Sequence, residues 1–219
     1  MLRRSRVAGI SLRISMAPSW SSLKATTTFR SSRFRRSSLP SGAGRVGCAT
    51  HERSGRSPVG HVLFTDIVDS TKSAARHGDQ QWAAILERHD RIGRTLVSAH
   101  GGRVVKTTGD GVLATFDGPS RAVECARRAH EAMAEIGLSI RAGLHTGEIE
   151  LRADGDVAGM GVHIASRVSG LAAAGETVVS RTVKDLVVGS GFVFADAGEH
   201  SLKGVDDTWH CYRLMSATP

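Results

Sequence analysis

Apolar positions along the chain change period several times, and each change marks an element. From His61 to Val68 the run HVLFTDIV is almost continuously apolar, the pattern of a strand buried on both faces, broken only by Thr65 and Asp66. From Gln81 to Val97 the period lengthens. Trp82, Ile85, Leu86, His89, Ile92 and Leu96 recur at helical spacing with charges opposite them, which predicts an amphipathic helix with His89 packed in its stripe. Gly101-Gly102 closes that unit. Two β-rich runs follow, Arg103–Thr108 and Val112–Phe116, and the Gly109-Asp110-Gly111 between them predicts a tight hairpin, since glycine reaches positive φ without steric cost.

Asp117-Gly118-Pro119-Ser120 then starts a second helix with proline in its first turn, and its buried face is Ala122, Cys125, Ala126, Ala129 and Met133. Ser139–Leu151 alternates as a strand and is followed by a turn at Asp154-Gly155-Asp156. A third helix, from about Gly159 to Leu171, groups Ile164, Val168 and Leu171 on one face, with His163 and Arg167 four apart along its polar edge. Thr177–Ser180, Phe192–Phe194 and Trp209–Leu214 read as the remaining strands. The order predicts an α+β fold: a ferredoxin-like βαββαβ core with additional C-terminal strands, one sheet covered by helices on one face. A doubly wound sheet fits less well, because the central pair is joined by a tight hairpin and must be antiparallel.

Charge divides the chain unevenly. The net charge is +8, yet residues 1–60 carry twelve Lys or Arg against one acid, Glu52, so 61–219 is net negative by three. Residues 1–59 are Arg/Ser-rich without a hydrophobic period and predict a disordered basic extension ahead of a catalytic domain at 60–219. A transit peptide, a basic arm for nucleic acid, or an unstructured stretch read from a start placed too far upstream would each have this composition, and the last is favoured. The basic character belongs to the extension, so nucleic acid is not an expected partner of the folded part. Three cysteines (Cys48, Cys125, Cys211) form neither a disulfide framework nor a CxxC pair, and no run approaches the roughly 18 apolar residues of a membrane span. A cytoplasmic protein without a membrane span is expected. The one GxGxxG match, GAGRVG at 42–47, has no strand before it and no helix after it, which excludes a dinucleotide fingerprint.

The chemistry lies in two acids at strand ends. Asp66 closes an apolar strand and Asp110 sits on a hairpin tip, so neighbouring strands would bring the two carboxylates together. Hard divalent cations take oxygen ligands from such pairs and complete their shells with substrate phosphates, a phosphoryl-transfer signal. The His163/Arg167 pair is either ordinary solvent-facing polarity or two groups aimed at one anion.

With FTDIVDST at 64–71, KTTGDGV at 106–112 and DVAGMGVHIASRV at 156–168, the chain resembles the class III adenylate/guanylate cyclase catalytic domain, over roughly His61 to Leu214. GEHSLKGV at 198–205 looks like that family's C-terminal strands. The resemblance implies closure of a nucleoside triphosphate to its 3′,5′-cyclic monophosphate at sites shared by a homodimer. It implies two divalent cations, Mg²⁺ or Mn²⁺, held by Asp66, Asp110 and the Ile67 carbonyl. Lys106 and Asp156 match the base-selecting pair and imply ATP as substrate, Arg167 the phosphate-contacting arginine, and Lys203 a further phosphate contact. At His163 the family typically has Asn to orient the ribose, whereas this chain contains no asparagine at all. The competing expectation is a cyclase-homology domain that binds nucleotide or a partner without turnover.

Overall fold

The computed structural model describes residues 58–215, and the expectations for residues 1–57, Cys48 and GAGRVG among them, lie outside the described residues. The apolar run that opens the folded part forms β1 (Val59–Ile67), two residues earlier than its apolar pattern predicts. It lies inside a seven-stranded sheet of order β2-β3-β1-β4-β7-β9-β8. The other strands are β2 (Gly102–Thr107), β3 (Gly111–Phe116), β4 (Ile140–Glu148), β7 (Thr177–Ser180), β8 (Phe194–Ser201) and β9 (Thr208–Leu214), and β5 (Glu150–Leu151) and β6 (Val157–Ala158) form a separate small hairpin. β1 pairs antiparallel with β3 on one side and β4 on the other, whereas β4 and β7 run parallel. The first four large strands have the expected βαββαβ connectivity, and β7, β9 and β8 extend the sheet beyond β4.

Alternation along β1 sends its side chains to two different cores. Leu63 packs with Val112, Ala114, Val123, Ala126, Ala142 and Leu144, beneath α2 (Asp79–Ala99) and α3 (Pro119–Ala134). Val62 turns the other way, toward Leu113, Val157 and Ala165 of α4 (Met160–Ser169). Helices therefore cover both faces, not one as the element order suggested: α4 packs apolar side chains onto the face opposite α2 and α3, and Ile164 and Val168 bury against Val178 and Cys211 there. Gly143 permits this, because a Cβ at that position would lie 2.2 Å from the Ser169 backbone nitrogen.

The helical stripe of α2 packs as its period predicts, Trp82, Ile85, Leu86, Ile92 and Leu96 against Ile67, Met133, Leu138 and Ile140. His89 is fully buried in that stripe, its Nδ1 3.0 Å from Asp90 Oδ1. Cys125 and Cys211 are buried free thiols, and burial pushes Cys125 up to about 12. Two helices escape the periodic pattern. α1 (Ser70–His77) buries no side chain and α5 (Arg181–Leu186) buries only Val183, so neither writes an apolar period. The strand expected at Phe192–Phe194 begins at Phe194 and runs to Ser201. It is an edge strand with a register shift between Asp196 and Gly198, which breaks the alternation that would have announced it. Among the described residues no helix is long and apolar enough to cross a membrane.

One buried base gives this sheet an acid sensitivity. His145 of β4 is 4 % exposed, its Nδ1 lies 2.8 Å from Ser180 Oγ, and Trp209 meets its ring edge-on at 5.4 Å. Burial lowers its pKa from 6.5 to about 4. The folded chain thus keeps the ring neutral where the unfolded chain protonates it, so this contribution to stability is full above pH 6.5 and lost as pH falls toward 4. Chemical denaturation at neutral pH and near pH 5 is expected to show a loss that His145→Gln reduces by up to about 2 kcal/mol. Equal losses in both proteins would assign the acid sensitivity to other groups.

Candidate functional site

Asp66 and Asp110 come to the same end of the sheet because β1 and β3 are neighbours in a register that sets Asp66 opposite Gly111. The contact is closer than any other residue would allow. A Cβ on Gly111 would stand 2.2 Å from the Thr65 carbonyl oxygen, so the second glycine of the GDG turn serves close approach, while Gly109, at φ 89°, serves the turn. The Ile67 N–H donates to the Asp110 carbonyl at 2.8 Å and closes the end of the pair. The Ile67 side chain is buried with Ala129, Met133 and Ile140, which leaves only its backbone to the site.

Each aspartate has a partner that the motifs did not announce. Arg141 stands directly opposite Asp66 in the β1–β4 register, and its Nε donates to Asp66 Oδ2 at 2.8 Å with Nη2 on the same oxygen. Ser70 Oγ, at the start of α1, donates to Asp110 Oδ2 at 2.6 Å. The signal for Arg141 was its place in an alternating strand, but only the pairing register says which acid it faces. Ser70 lay inside FTDIVDST, where nothing local connects it to a residue 40 positions on.

The second group lies on the same sheet face. Lys106 Nζ, from β2, donates to both Asp156 oxygens at 3.0 and 3.1 Å across 50 residues of sequence. That hydrogen bond, followed by one from the Val157 N–H, holds the Asp156 carboxyl below its ordinary value and keeps it an ionised acceptor. Arg167 of α4 donates from Nε to the Lys203 carbonyl at 3.1 Å, which ties the helix to the β8–β9 turn. The Lys203 and His163 side chains are exposed. Among the described residues no hydrogen bond or ion pair joins the Asp66/Asp110 group to Lys106, Asp156, His163 or Arg167.

The donor chemistry of the acid pair suits a hard divalent cation: it offers carboxylate oxygens, with no thiol or imidazole among them. Among the described residues no cluster of three His, Cys, Asp or Glu could close a cage around an ion, so a cation here would complete its shell with water or with a ligand's oxygens, as Mg²⁺ does when it binds with phosphates.

Residues 55–216 match the model of the adenylate and guanylate cyclase catalytic domain. The chain belongs to that family. The cyclase domain is 31 % identical over 160 residues to the putative adenylate cyclase 3 of Rhizobium meliloti (strain 1021), a match covering 69 % of this chain and 27 % of the relative. It is 36 % identical over 113 residues to the adenylate cyclase of Streptomyces coelicolor, covering 51 % of this chain and 29 % of that one. The chain thus spans under a third of these curated relatives. Many solved structures share its fold. Two of them are the adenylyl cyclase CyaB from P. aeruginosa (TM-score 0.68, 21 % identity, 73 % of this chain and 95 % of that one) and the guanylate cyclase domain of RhGC from Catenaria anguillulae in complex with GTP (TM-score 0.68, 22 %, 74 % and 98 %).

If the closeness of β3 to β1 places the acid pair, Gly111→Ala in the cyclase domain is expected to lower stability by about 1–3 kcal/mol through the forced shift of one strand. Mn²⁺ should then also raise its melting temperature less than it does for wild type. A variant with wild-type melting and an unchanged Mn²⁺ response would show that the approach is not needed.

Proposed function

We propose that this cyclase domain is an adenylate cyclase, converting ATP to 3′,5′-cyclic AMP and pyrophosphate at a site shared by two copies of the chain. In that reaction the ribose 3′-oxygen attacks the α-phosphorus, the bond to the bridging oxygen breaks, and pyrophosphate leaves. The observation that carries the reading is the Lys106–Asp156 pair at 3.0 Å. Side by side they offer one cationic donor and one ionised acceptor, which suits adenine N1 and the N6 amino group; guanine presents N1–H and O6 in the opposite order. The named adenylate cyclases among its relatives support the same substrate.

Asp66, Asp110 and the Ile67 carbonyl would hold the divalent cations. Bound there, such ions lower the pKa of the attacking hydroxyl and offset charge on the leaving pyrophosphate. The chain's own groups do the rest. Arg167 presents a guanidinium fork to charge developing on the phosphates, and the exposed Lys203 stands beside it on the turn whose carbonyl Arg167 grips. His163, one helical turn before Arg167 on α4, takes the ribose-orienting position with a ring N–H as donor.

Purified protein with ATP and Mn²⁺ or Mg²⁺ is expected to form cyclic AMP, with a preference over GTP of about tenfold or more from mismatched donors and acceptors at the base edge. A domain that binds nucleotide without forming a cyclic product would overturn the proposal. Comparable turnover of the two nucleotides would overturn its substrate.

A shared site makes a second prediction, because among the described residues no hydrogen bond or ion pair links the acid pair to the base-reading pair or to Arg167. Asp66→Ala and Arg167→Ala are each expected to be inactive alone and to recover part of the activity when mixed, since one of the two sites in a mixed dimer is then intact. Mixed dimers without recovery would rule out sharing.

A further inference from the structure

The strand that carries Lys106 is out of phase with itself. In the β2–β3 pairing Arg103 lies opposite Thr115 and Val104 opposite Ala114, but the register then slips, so that Lys106 lies opposite Leu113. In an unbroken strand, residues three apart point to opposite faces. The bulge at Val104–Lys106 rephases β2, leaves Val104 packed with the α2/α3 core, and puts Arg103 and Lys106 together on the α4 face.

Both side chains then reach the same turn. Lys106 takes the Asp156 carboxylate, while Arg103 Nη1 donates to the Gly155 carbonyl at 2.7 Å, 52 residues away. The turn needs such an anchor. It joins β5 to β6, two residues each and outside the main sheet, and a hairpin this short does not hold a fixed position in water. Its internal bonds set only its shape: Arg152 N–H to the Asp156 carbonyl at 2.9 Å, Gly155 N–H to the Arg152 carbonyl at 2.9 Å, and Asp156 N–H to Asp154 Oδ1 at 3.0 Å. Gly155 has φ 85°, so its carbonyl is turned by a conformation that other residues rarely adopt. Val157, 3 % exposed, fixes the strand after the turn in the core. Arg103 fixes the turn itself, at the residue before Asp156.

We infer that Arg103 is a positioning residue for base selection: by gripping the Gly155 carbonyl it holds Asp156 at the spacing from Lys106 that reads adenine. This rests on the adenine-reading role proposed above. Arg103 touches neither Asp66, Asp110 nor Arg167, so its effect falls on recognition of the base and not on phosphate chemistry.

Displacement of a fluorescent ATP analogue (mant-ATP) by ATP and by GTP in the presence of Mn²⁺ tests this without requiring turnover. Arg103 is exposed on an edge strand, so its variants keep the fold. Arg103→Ala is expected to weaken ATP about three- to tenfold while leaving GTP unchanged, the size of one lost hydrogen bond. Arg103→Lys, which retains a donor, should recover part of the difference. An unchanged ATP-to-GTP ratio in Arg103→Ala, or equal weakening of both nucleotides, would overturn the clamp while leaving Lys106 and Asp156 in their roles. A wild-type protein with no preference for ATP would overturn those roles and the clamp together.

Discussion

Everything at the acid pair depends on how close two backbones come at the end of β1. A strand buried on both faces cannot move sideways without disturbing two cores, and β1 is held between β3 and β4. Because Gly111 lacks a Cβ, β3 can lie against the Thr65 carbonyl, and the next residue back in the hairpin, Asp110, is brought beside Asp66. Two carboxylates at such a place repel each other unless cations or donors offset them. Arg141 supplies a cation to Asp66 and Ser70 a donor to Asp110. Both contacts lie at a partly exposed site, so a cation held there as proposed would take them over without stranding a buried charge.

The two sheet faces divide the work. Leu63, Val112, Ala114 and Val123 on the α2/α3 side form the largest buried cluster and carry no candidate chemistry. Asp66, Arg141, Lys106 and Asp156 belong to the α4 side, where α4 covers only part of the sheet. Alternation imposes this on β1 and β4, since their register pairs Asp66 with Arg141 on one face and Leu63 with Leu144 on the other. In β2 alternation alone would have failed, and the bulge corrects it.

Sequence pattern disclosed the elements that bury an apolar face. β1, α2, α3, β4, α4, β7 and β9 all lie close to where their periods place them, because a buried face must repeat at the period of its element. The helices that bury almost nothing, α1 and α5, left no such mark, and β8 was hidden by its bulge. The position of α4 on the opposite face was not legible either, since element order does not say which side of a sheet a crossover takes. The candidate site divides in the same way. Asp66, Asp110, Lys106, Asp156 and Arg167 stood within motifs, and four of them occur in two close groups. Arg141, Ser70 and Arg103 act across 75, 40 and 52 positions, and strand register, the start of α1 and a β-bulge bring them into place.

That separation bears on how the cyclase domain would respond to substitution. Lys106 and Asp156 neutralise each other as an ion pair, so a base read there as proposed must share or replace that pair, and the pair's geometry sets the cost. Removing either partner leaves the other partly exposed, where water can solvate it, so stability should change little even where the proposed selection is lost. The acid pair differs, because its geometry comes from the packing of β3 on β1 and cannot be altered without disturbing the sheet. If these residues read the base as proposed, base choice can change through the partly exposed Lys106 and Asp156 and the exposed Arg103 at small cost to folding, whereas the position of the two aspartates is tied to the core itself.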